Sequence, residues 1–229
     1  MPEPIAKFWQ KIAKAKTLSV TVKEWADDGR VTGDNPRVLI LNNVAEVKIQ
    51  RPNLISILGQ PPRMEETPKE GGLSVKFSGG GKSYISDGKS AIELTPEFHA
   101  YQPAKPIETV TQNKNNPLNG LFLYWVLSNT PMAGLKPHTT DRTPQPRVFG
   151  TVYVLKDTKG SPREEWHYFD AKTGNLMRWS AYHWGENGHV YEDMRIEYQF
   201  WEFDPKLPKN TFDTHPPKNW KPFPARPKR

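Results

Sequence analysis

Arg51 is the residue whose type and position suggest specific chemistry in this chain. It follows a strand-like run in which Val47 and Ile49 alternate with Lys48 and Gln50. Because side chains alternate between the two faces of a strand, Arg51 shares the apolar face with Val47 and Ile49. A cation in that place is either a strand end that reaches solvent or a polar latch inside a cavity. The spacing leaves both readings open.

A glycine-rich segment, Ser78–Ser83, resembles a phosphate-binding loop, but its spacing and context do not fit. Lys76 stands five residues before Gly81, where a phosphate loop has a glycine. A strand-like run follows the segment, whereas a phosphate loop leads into a helix N-terminus. We therefore interpret the segment as a turn between strands.

Groups that could support catalysis or bind a metal do not form a recognisable set. The chain has no cysteine and six scattered histidines. His183 and His189 flank a predicted hairpin turn, with His167 expected on a neighbouring strand, yet a zinc site normally needs three or four clustered ligands. We interpret the histidines as surface residues. The sequence predicts no catalytic residue, no metal and no cofactor, so we expect a protein that is not an enzyme.

Composition limits the class of protein. The 229 residues carry a net charge of +7, and a mean hydropathy of -0.75 is offset by eight Trp, eight Tyr and ten Phe. The longest apolar run, Leu121–Leu127, is too short to span a membrane. Aromatic rows near lysines can stack on single-stranded nucleic acid, but they more often pack in a core, and we expect no nucleic-acid partner.

Residue spacing predicts one helix at the start of the chain. The apolar residues Ile5, Phe8, Trp9 and Ile12 recur at helical spacing within residues 4–16. Pro4 suits a first helical turn. We therefore predict an N-terminal helix over about residues 1–16, with one apolar face.

From residue 17 the apolar period changes to two, which predicts a first β meander over about residues 17–110. Asn42 and Asn43 disturb the alternation and indicate a bulge. The sequence Asp87-Gly88-Lys89 is typical of a hairpin turn. Residues 59–72 are polar and proline-rich, and we predict a loop there.

A second β meander is predicted over about residues 148–203, with strands at 149–155, 165–169, 176–184 and 191–203. In the last strand, four residues at alternate positions form a row that we expect to point inward: Met194, Ile196, Tyr198 and Phe200. Residues 204–229 are predicted to be an irregular basic tail. An alternative interpretation is that this basic tail is attracted to an anionic membrane surface.

A helix is predicted between the two meanders, at about residues 115–130. Asn116-Pro117 is a good helix start, and residues 121–127 are apolar on every side, so such a helix must be covered on more than one face. We predict one domain, 1–229, of the mainly β with α (α+β) class. Its antiparallel sheet would have helices on the apolar face.

Six short motifs occur along the chain in an order that resembles the LolA/LolB-type outer-membrane lipoprotein carrier family. They span nearly the whole chain: Val47–Leu54, Ser86–Ser90, Asn116–Leu118, Asp170–Leu176, Trp201–Pro208 and Phe212–Pro217. The resemblance implies a curved, incomplete antiparallel β-barrel whose concave face is covered by helices around an apolar cavity. It also implies a periplasmic protein whose leader is absent from this sequence.

The resemblance implies a carrier of lipid or lipoprotein acyl chains, in which Arg51 bonds to a helical lid that starts at Asn116. We expect the ligand to contact Val47, Ile49, Arg51, Leu118, Leu121, Phe122, Trp125, Met194, Ile196, Tyr198 and Phe200. Arg51 would stabilise the closed lid, so that closure opposes ligand binding.

Two other classes of function remain open from the sequence. The same fold occurs in envelope-stress regulators of the RseB type, which sense lipids and bind a membrane-associated partner protein. Trp184 and Trp201 would then be exposed interface anchors. A hydrolase acting on an apolar ester is the third option, but no catalytic triad is recognisable.

Overall fold

The computed structural model describes residues 3–27, 39–60, 63–69, 72–78, 83–107, 140–145, 150–157, 163–184 and 190–223. In this part of the chain there is one α-helix, α1 (Glu3–Lys14), which confirms the predicted N-terminal helix. The fourteen strands are β1 (Thr17–Asp27), β2 (Leu39–Gln50), β3 (Leu54–Gly59), β4 (Arg63–Lys69), β5 (Gly72–Ser78), β6 (Ser83–Ser86), β7 (Ala91–Thr95), β8 (Ala100–Ala104), β9 (Thr140–Gln145), β10 (Gly150–Asp157), β11 (Arg163–Asp170), β12 (Leu176–Trp184), β13 (Val190–Phe203) and β14 (Lys221–Pro222).

Twelve of these strands form one open sheet in the order β14-β8-β7-β6-β3-β2-β1-β13-β12-β11-β10-β9. Its pairs are antiparallel except for β14 with β8, which is parallel. The two predicted meanders are joined through β1, which pairs with β2 on one side and β13 on the other. The described strands do not close into a barrel. The division of the chain into a single domain remains a prediction.

Several local predictions are confirmed by the register. Leu18, Val20 and Val22 of β1 are buried and belong to the core cluster, as the period of two predicted. Glu24 pairs with Asn43 and Trp25 pairs with Leu41, so Asn42 is the extra residue of a bulge.

The predicted hairpin between β6 and β7 is also confirmed. Gly88 has a φ of +83°, and the Asp87 carboxylate accepts hydrogen bonds from the amides of Lys89 at 2.8 Å and Ser90 at 2.7 Å. A positive φ costs glycine little, and the carboxylate closes the turn around it.

Two strands occur where the sequence pattern predicted none. Residues 63–69, placed in the loop 59–72, form β4, which pairs with β5 in a separate two-stranded sheet. Residues 140–145 form β9, which pairs with β10 at the edge of the large sheet. Both strands contain a proline, which lowers the local strand signal, but proline is tolerated where a strand has an unpaired side.

The predicted tail is irregular but follows a defined path. Residues 204–220 contain no strand, and the chain then adds β14 to the edge strand β8. This segment runs from the middle of the sheet to its far edge, because Asp204 contacts the start of β1 whereas Lys221 pairs with Ala100.

No helix in the described part of the chain is long and apolar enough to cross a membrane. The helix predicted at 115–130 lies outside the described residues.

Candidate functional site

The helix α1 packs its apolar stripe against part of the apolar face of the sheet. The helix buries Ile5, Phe8, Trp9 and Ile12, which belong to one core cluster with residues from β1, β2, β3, β11, β12 and β13. Phe8 is fully buried, with its ring in edge-to-face contact with Trp201 at 5.3 Å between centroids. An amphipathic helix that lays its apolar stripe on a sheet buries both apolar faces at once.

The C-terminal end of α1 is held by Arg51. The guanidinium donates from Nε to the carbonyl oxygen of Ala15 at 3.2 Å and from Nη2 to that of Ile12 at 3.1 Å. These carbonyl groups lie at the end of the helix, where they have no partner within the helix and where the helix dipole favours a cation. Burial lowers the pKa of Arg51, but a guanidinium stays charged under all ordinary conditions.

Arg51 therefore contacts a helix, as the resemblance implied, but not the helix that was predicted to be its partner. Val47 and Ile49 are buried on the inner face, and Arg51 continues from them to a helix, as expected for a latch. The helix is α1, however, rather than the segment predicted at 115–130.

The N-terminal end of α1 is held by the turn between β11 and β12. Gly174 has a φ of +71°, and a Cβ at this position would lie 1.9 Å from the carbonyl oxygen of Pro4. The Asp170 carboxylate supports the turn by accepting a hydrogen bond from the amide of Thr173 at 2.6 Å. Both ends of the helix thus contact the sheet through specific residues, and not only through its apolar stripe.

Most of the described residues that the sequence placed in the site lie together. Val47, Ile49, Ile196 and Tyr198 are buried in the cluster beneath α1, and Met194 packs against it. Leu118, Leu121, Phe122 and Trp125 lie outside the described residues, so their place in the site remains a prediction.

Phe200 is an exception, because the structure contradicts its predicted inward position. Its side chain is 77% exposed. Ser19 pairs with Glu202 and Thr21 pairs with Gln199, so two residues of β13 oppose Val20 alone. This bulge, in which Phe200 has a φ of +57°, reverses the alternation beyond it.

Trp201 consequently takes the inward position that was predicted for Phe200. Its indole nitrogen donates to the carbonyl oxygen of Leu176 at 2.7 Å, and its ring packs with Phe203 against Phe8. Trp201 is therefore not the exposed interface anchor that the regulator hypothesis required.

The opposite face of β12 and β13 carries a charged cluster that sequence reasoning missed. Glu192 accepts hydrogen bonds from Arg178 and from Nη2 of Arg195, the latter at 2.6 Å, and Tyr168 and Tyr182 join their hydroxyls at 2.9 Å. Burial raises the pKa of Glu192, but the hydrogen bond from Arg195 and the charge of Arg178 hold it below its ordinary value. The sequence pattern places Arg195 opposite the inward row, but Glu192 has the same parity as Met194. Glu192 reaches the outer face because Ala181 pairs with Met194 and Tyr182 pairs with Glu192, which leaves one extra residue in β13.

His167 is buried rather than exposed, which corrects the surface interpretation made for the histidines. It is 1% exposed on β11, and burial lowers its pKa to about 3. No group of three or more His, Cys, Asp or Glu residues that could hold a metal occurs within the described ranges.

The burial of His167 predicts a loss of stability in acid. In the unfolded chain the imidazole titrates near pH 6.5, whereas in the folded protein it stays neutral down to about pH 3. Its neutral form therefore contributes fully above pH 6.5, and the contribution is lost as the pH falls toward the folded pKa. At pH 4.5 the loss in the free energy of unfolding should be about 3 kcal/mol.

Urea unfolding at pH 7 and pH 4.5 should show this loss in the wild type and a smaller one in His167→Leu. An equal loss in both proteins would contradict the prediction.

No protein-family model and no curated protein matches the chain. Its fold is similar to several solved structures. One is an uncharacterized conserved protein from Thermus thermophilus, with 12% identity over 96% of both chains and a TM-score of 0.47. A LolA superfamily protein from Nitrosomonas europaea has 10% identity over 91% of this chain and 95% of its own, with a TM-score of 0.33.

A DUF1329 family protein from Desulfovibrio piger is also similar, with 9% identity over 93% of this chain and 98% of its own and a TM-score of 0.32. A LolA superfamily protein is thus among the solved structures to which this chain is similar. Because all these TM-scores are below 0.5, the function is inferred from this chain's own contacts.

Proposed function

We propose that this protein binds an acyl chain of a lipid or lipoprotein on the sheet face that α1 covers, and that it acts as a carrier in the periplasm. The observation that supports this proposal is the pair of hydrogen bonds from Arg51 to the end of α1. The helix fills an apolar face that could otherwise hold a ligand, and one polar residue fastens it there.

The binding energy in this proposal comes from apolar burial alone. Each buried methylene contributes about 0.8 kcal/mol, so a long acyl chain supplies on the order of 10 kcal/mol before the ordering costs are subtracted. The apolar residues that α1 now covers, including Val47, Ile49 and Ile196, would supply the surface. No reactive group is needed, and we propose that the protein is not an enzyme.

Release of the ligand would be assisted by α1. The helix and the acyl chain would compete for the same surface, so each interaction that stabilises the covered state weakens ligand binding. Arg51 stabilises the covered state by satisfying carbonyl groups at the helix end. When α1 moves away, the half-buried guanidinium can turn to water, which limits the cost of opening.

Replacement of Arg51 by leucine is expected to raise retention of a fluorescent fatty-acid analogue. Loss of two hydrogen bonds to a charged group should weaken the covered state, and the dissociation rate should fall by about tenfold. The measurement is the dissociation rate after dilution into an excess of unlabelled fatty acid. Arg51→Lys is the matched control, because it keeps the charge and some donor capacity. Its dissociation rate should lie between those of the wild type and Arg51→Leu.

Two results separate the parts of this proposal. A folded Arg51→Leu variant with an unchanged dissociation rate would remove the latch while leaving acyl binding in place. Failure of the wild-type protein to bind the analogue at all would exclude the carrier function itself. Far-UV circular dichroism of each variant ensures that the comparison is made between folded proteins.

A further inference from the structure

An exposed aromatic pair lies at the β8–β14 edge of the sheet. Phe98 is 64% exposed and Phe223 is 41% exposed, and their rings meet edge to face at 6.3 Å between centroids. Beside them, the rings of His99 and Trp220 are 5.8 Å apart. We call these four residues the edge patch. Single exposed aromatic residues are common, but a contiguous group marks an interaction surface.

The edge patch is held in place by the backbone. The amide of Lys221 donates to the carbonyl oxygen of His99 at 3.0 Å, and the amide of Phe223 donates to that of Tyr101 at 2.7 Å. Earlier in the same segment, the hydroxyls of Thr214 and Ser90 share a hydrogen bond of 2.8 Å. The two phenylalanines come from distant parts of the chain, and strand pairing keeps them together in contact with water.

The charge around the edge patch is mainly positive. Lys218 and Lys221 are exposed in the same segment, and residues 218–229 contain five Lys or Arg and no Asp or Glu. Glu97, next to Phe98, is an exposed carboxylate beside this surface. Aromatic residues flanked by cations match the surface of an anionic bilayer, where rings enter the interface and lysines remain among the headgroups.

We propose that the edge patch docks the protein on a bilayer of anionic phospholipids, with Phe98 and Phe223 entering the interface. Lys218 and Lys221 then contact the headgroups. A single-stranded nucleic acid fits less well, because the two rings stand at 68° to each other and do not offer parallel faces for successive bases. This docking goes beyond acyl binding beneath α1, and either property can hold without the other.

Binding to lipid vesicles tests the docking. Vesicles of phosphatidylcholine, with or without phosphatidylglycerol, are sedimented with the protein at low ionic strength. The wild type is expected to bind vesicles that contain phosphatidylglycerol, with an affinity that falls as salt is added. The double variant Phe98→Ser/Phe223→Ser should lose roughly 100-fold in affinity, because each ring contributes about tenfold. The pair Lys218→Gln/Lys221→Gln should lose roughly 30-fold.

Matched variants elsewhere on the surface serve as controls. Phe200→Asn removes a ring that is more exposed than those of Phe98 and Phe223, and asparagine tolerates the positive φ of that residue. Lys7→Gln/Lys11→Gln removes two exposed charges from α1. Both controls should bind vesicles with an affinity close to that of the wild type. A loss in either control as large as in the edge-patch variants would overturn the proposal, because vesicle binding would then not depend on the edge patch.

Further outcomes would also overturn the docking. These are absence of vesicle binding, equal binding to phosphatidylcholine alone, and binding of single-stranded DNA that depends on the same residues. A wild-type dimer and monomeric edge-patch variants in size-exclusion chromatography would also overturn the docking, because the edge would then join two copies of the chain. Binding of the fluorescent fatty acid without vesicles should be unchanged in the edge-patch variants, which separates this result from a failure of the carrier function.

Discussion

Replacement of Phe8 by alanine is expected to lower the free energy of unfolding by about 3–5 kcal/mol. Phe8 is fully buried and its ring meets those of Trp9, Phe169, Trp201 and Phe203 edge to face. The variant loses the transfer free energy of the ring and leaves a cavity between α1 and the sheet. Because four aromatic side chains surround the site, it cannot collapse fully around alanine.

The measurement for Phe8→Ala is urea unfolding at neutral pH, followed by far-UV circular dichroism. The control is Phe98→Ala, which removes the same ring from a residue that is 64% exposed and should change the stability by no more than about 0.5 kcal/mol. A loss of less than about 1 kcal/mol for Phe8→Ala would show that α1 is not packed on the sheet. The sheet face would then already be open, and the proposed competition with a ligand would have no basis.

Replacement of Gly174 by alanine is expected to cost roughly 2–5 kcal/mol, from backbone strain and overpacking together. Its φ of +71° disfavours any side chain, and the new Cβ would lie 1.9 Å from the carbonyl oxygen of Pro4 and 2.2 Å from its carbonyl carbon. Those atoms belong to the backbone at the start of α1 and cannot rotate away. The helix or the turn must therefore move.

Gly88→Ala is a matched control for Gly174→Ala. Gly88 has a similar φ of +83°, but a Cβ there meets the end of the Asn53 side chain, with the nearest atoms at 2.7 Å. Because that side chain can rotate, Gly88→Ala should cost only the strain of the backbone, about 1–2 kcal/mol. Urea unfolding of the two variants measures the difference. Equal losses would mean that α1 is not held against the β11–β12 turn.

Phe8→Ala and Gly174→Ala also bear on the carrier proposal. Arg51 holds one end of α1 and the turn at Gly174 meets the other, while Phe8 fills the surface between them. A helix loosened at either end competes less well for the sheet face, so Gly174→Ala should also slow the dissociation of a bound fatty-acid analogue. The effect should have the same direction as that of Arg51→Leu, because both changes destabilise the covered state.

Much of the fold could be predicted from local spacing. The apolar stripe of α1, the alternation of Leu18, Val20 and Val22, and the Asp87-Gly88 turn each depend on residues that lie close together in the sequence. The bulge at Asn42 was also visible, because an extra residue disturbs the period of two. Strands β4 and β9 were missed because proline lowers their own propensity, whereas pairing with a neighbouring strand stabilises them.

The candidate site was predicted only in part. Val47 and Ile49 were assigned to the inner face and are buried there, and Arg51 was assigned a helix as its partner. The identity of that helix could not be inferred, because both α1 and the predicted segment at 115–130 have apolar faces that need cover. Phe200 and Trp201 exchange their expected places because the bulge between them forms against Val20, which is about 180 residues away.

By itself, the sequence determined that this chain forms an amphipathic helix and a mainly antiparallel sheet with one apolar face. Repeating apolar spacing suffices for that, since burial of one face depends on the local period. Only the tertiary structure decided that Arg51 fastens α1, that Trp201 replaces Phe200 inside, that His167 is buried, and that Phe223 meets Phe98 at the edge. Each of these features depends on residues that are far apart in the chain. Strand register and the path of the backbone decide which of those residues meet.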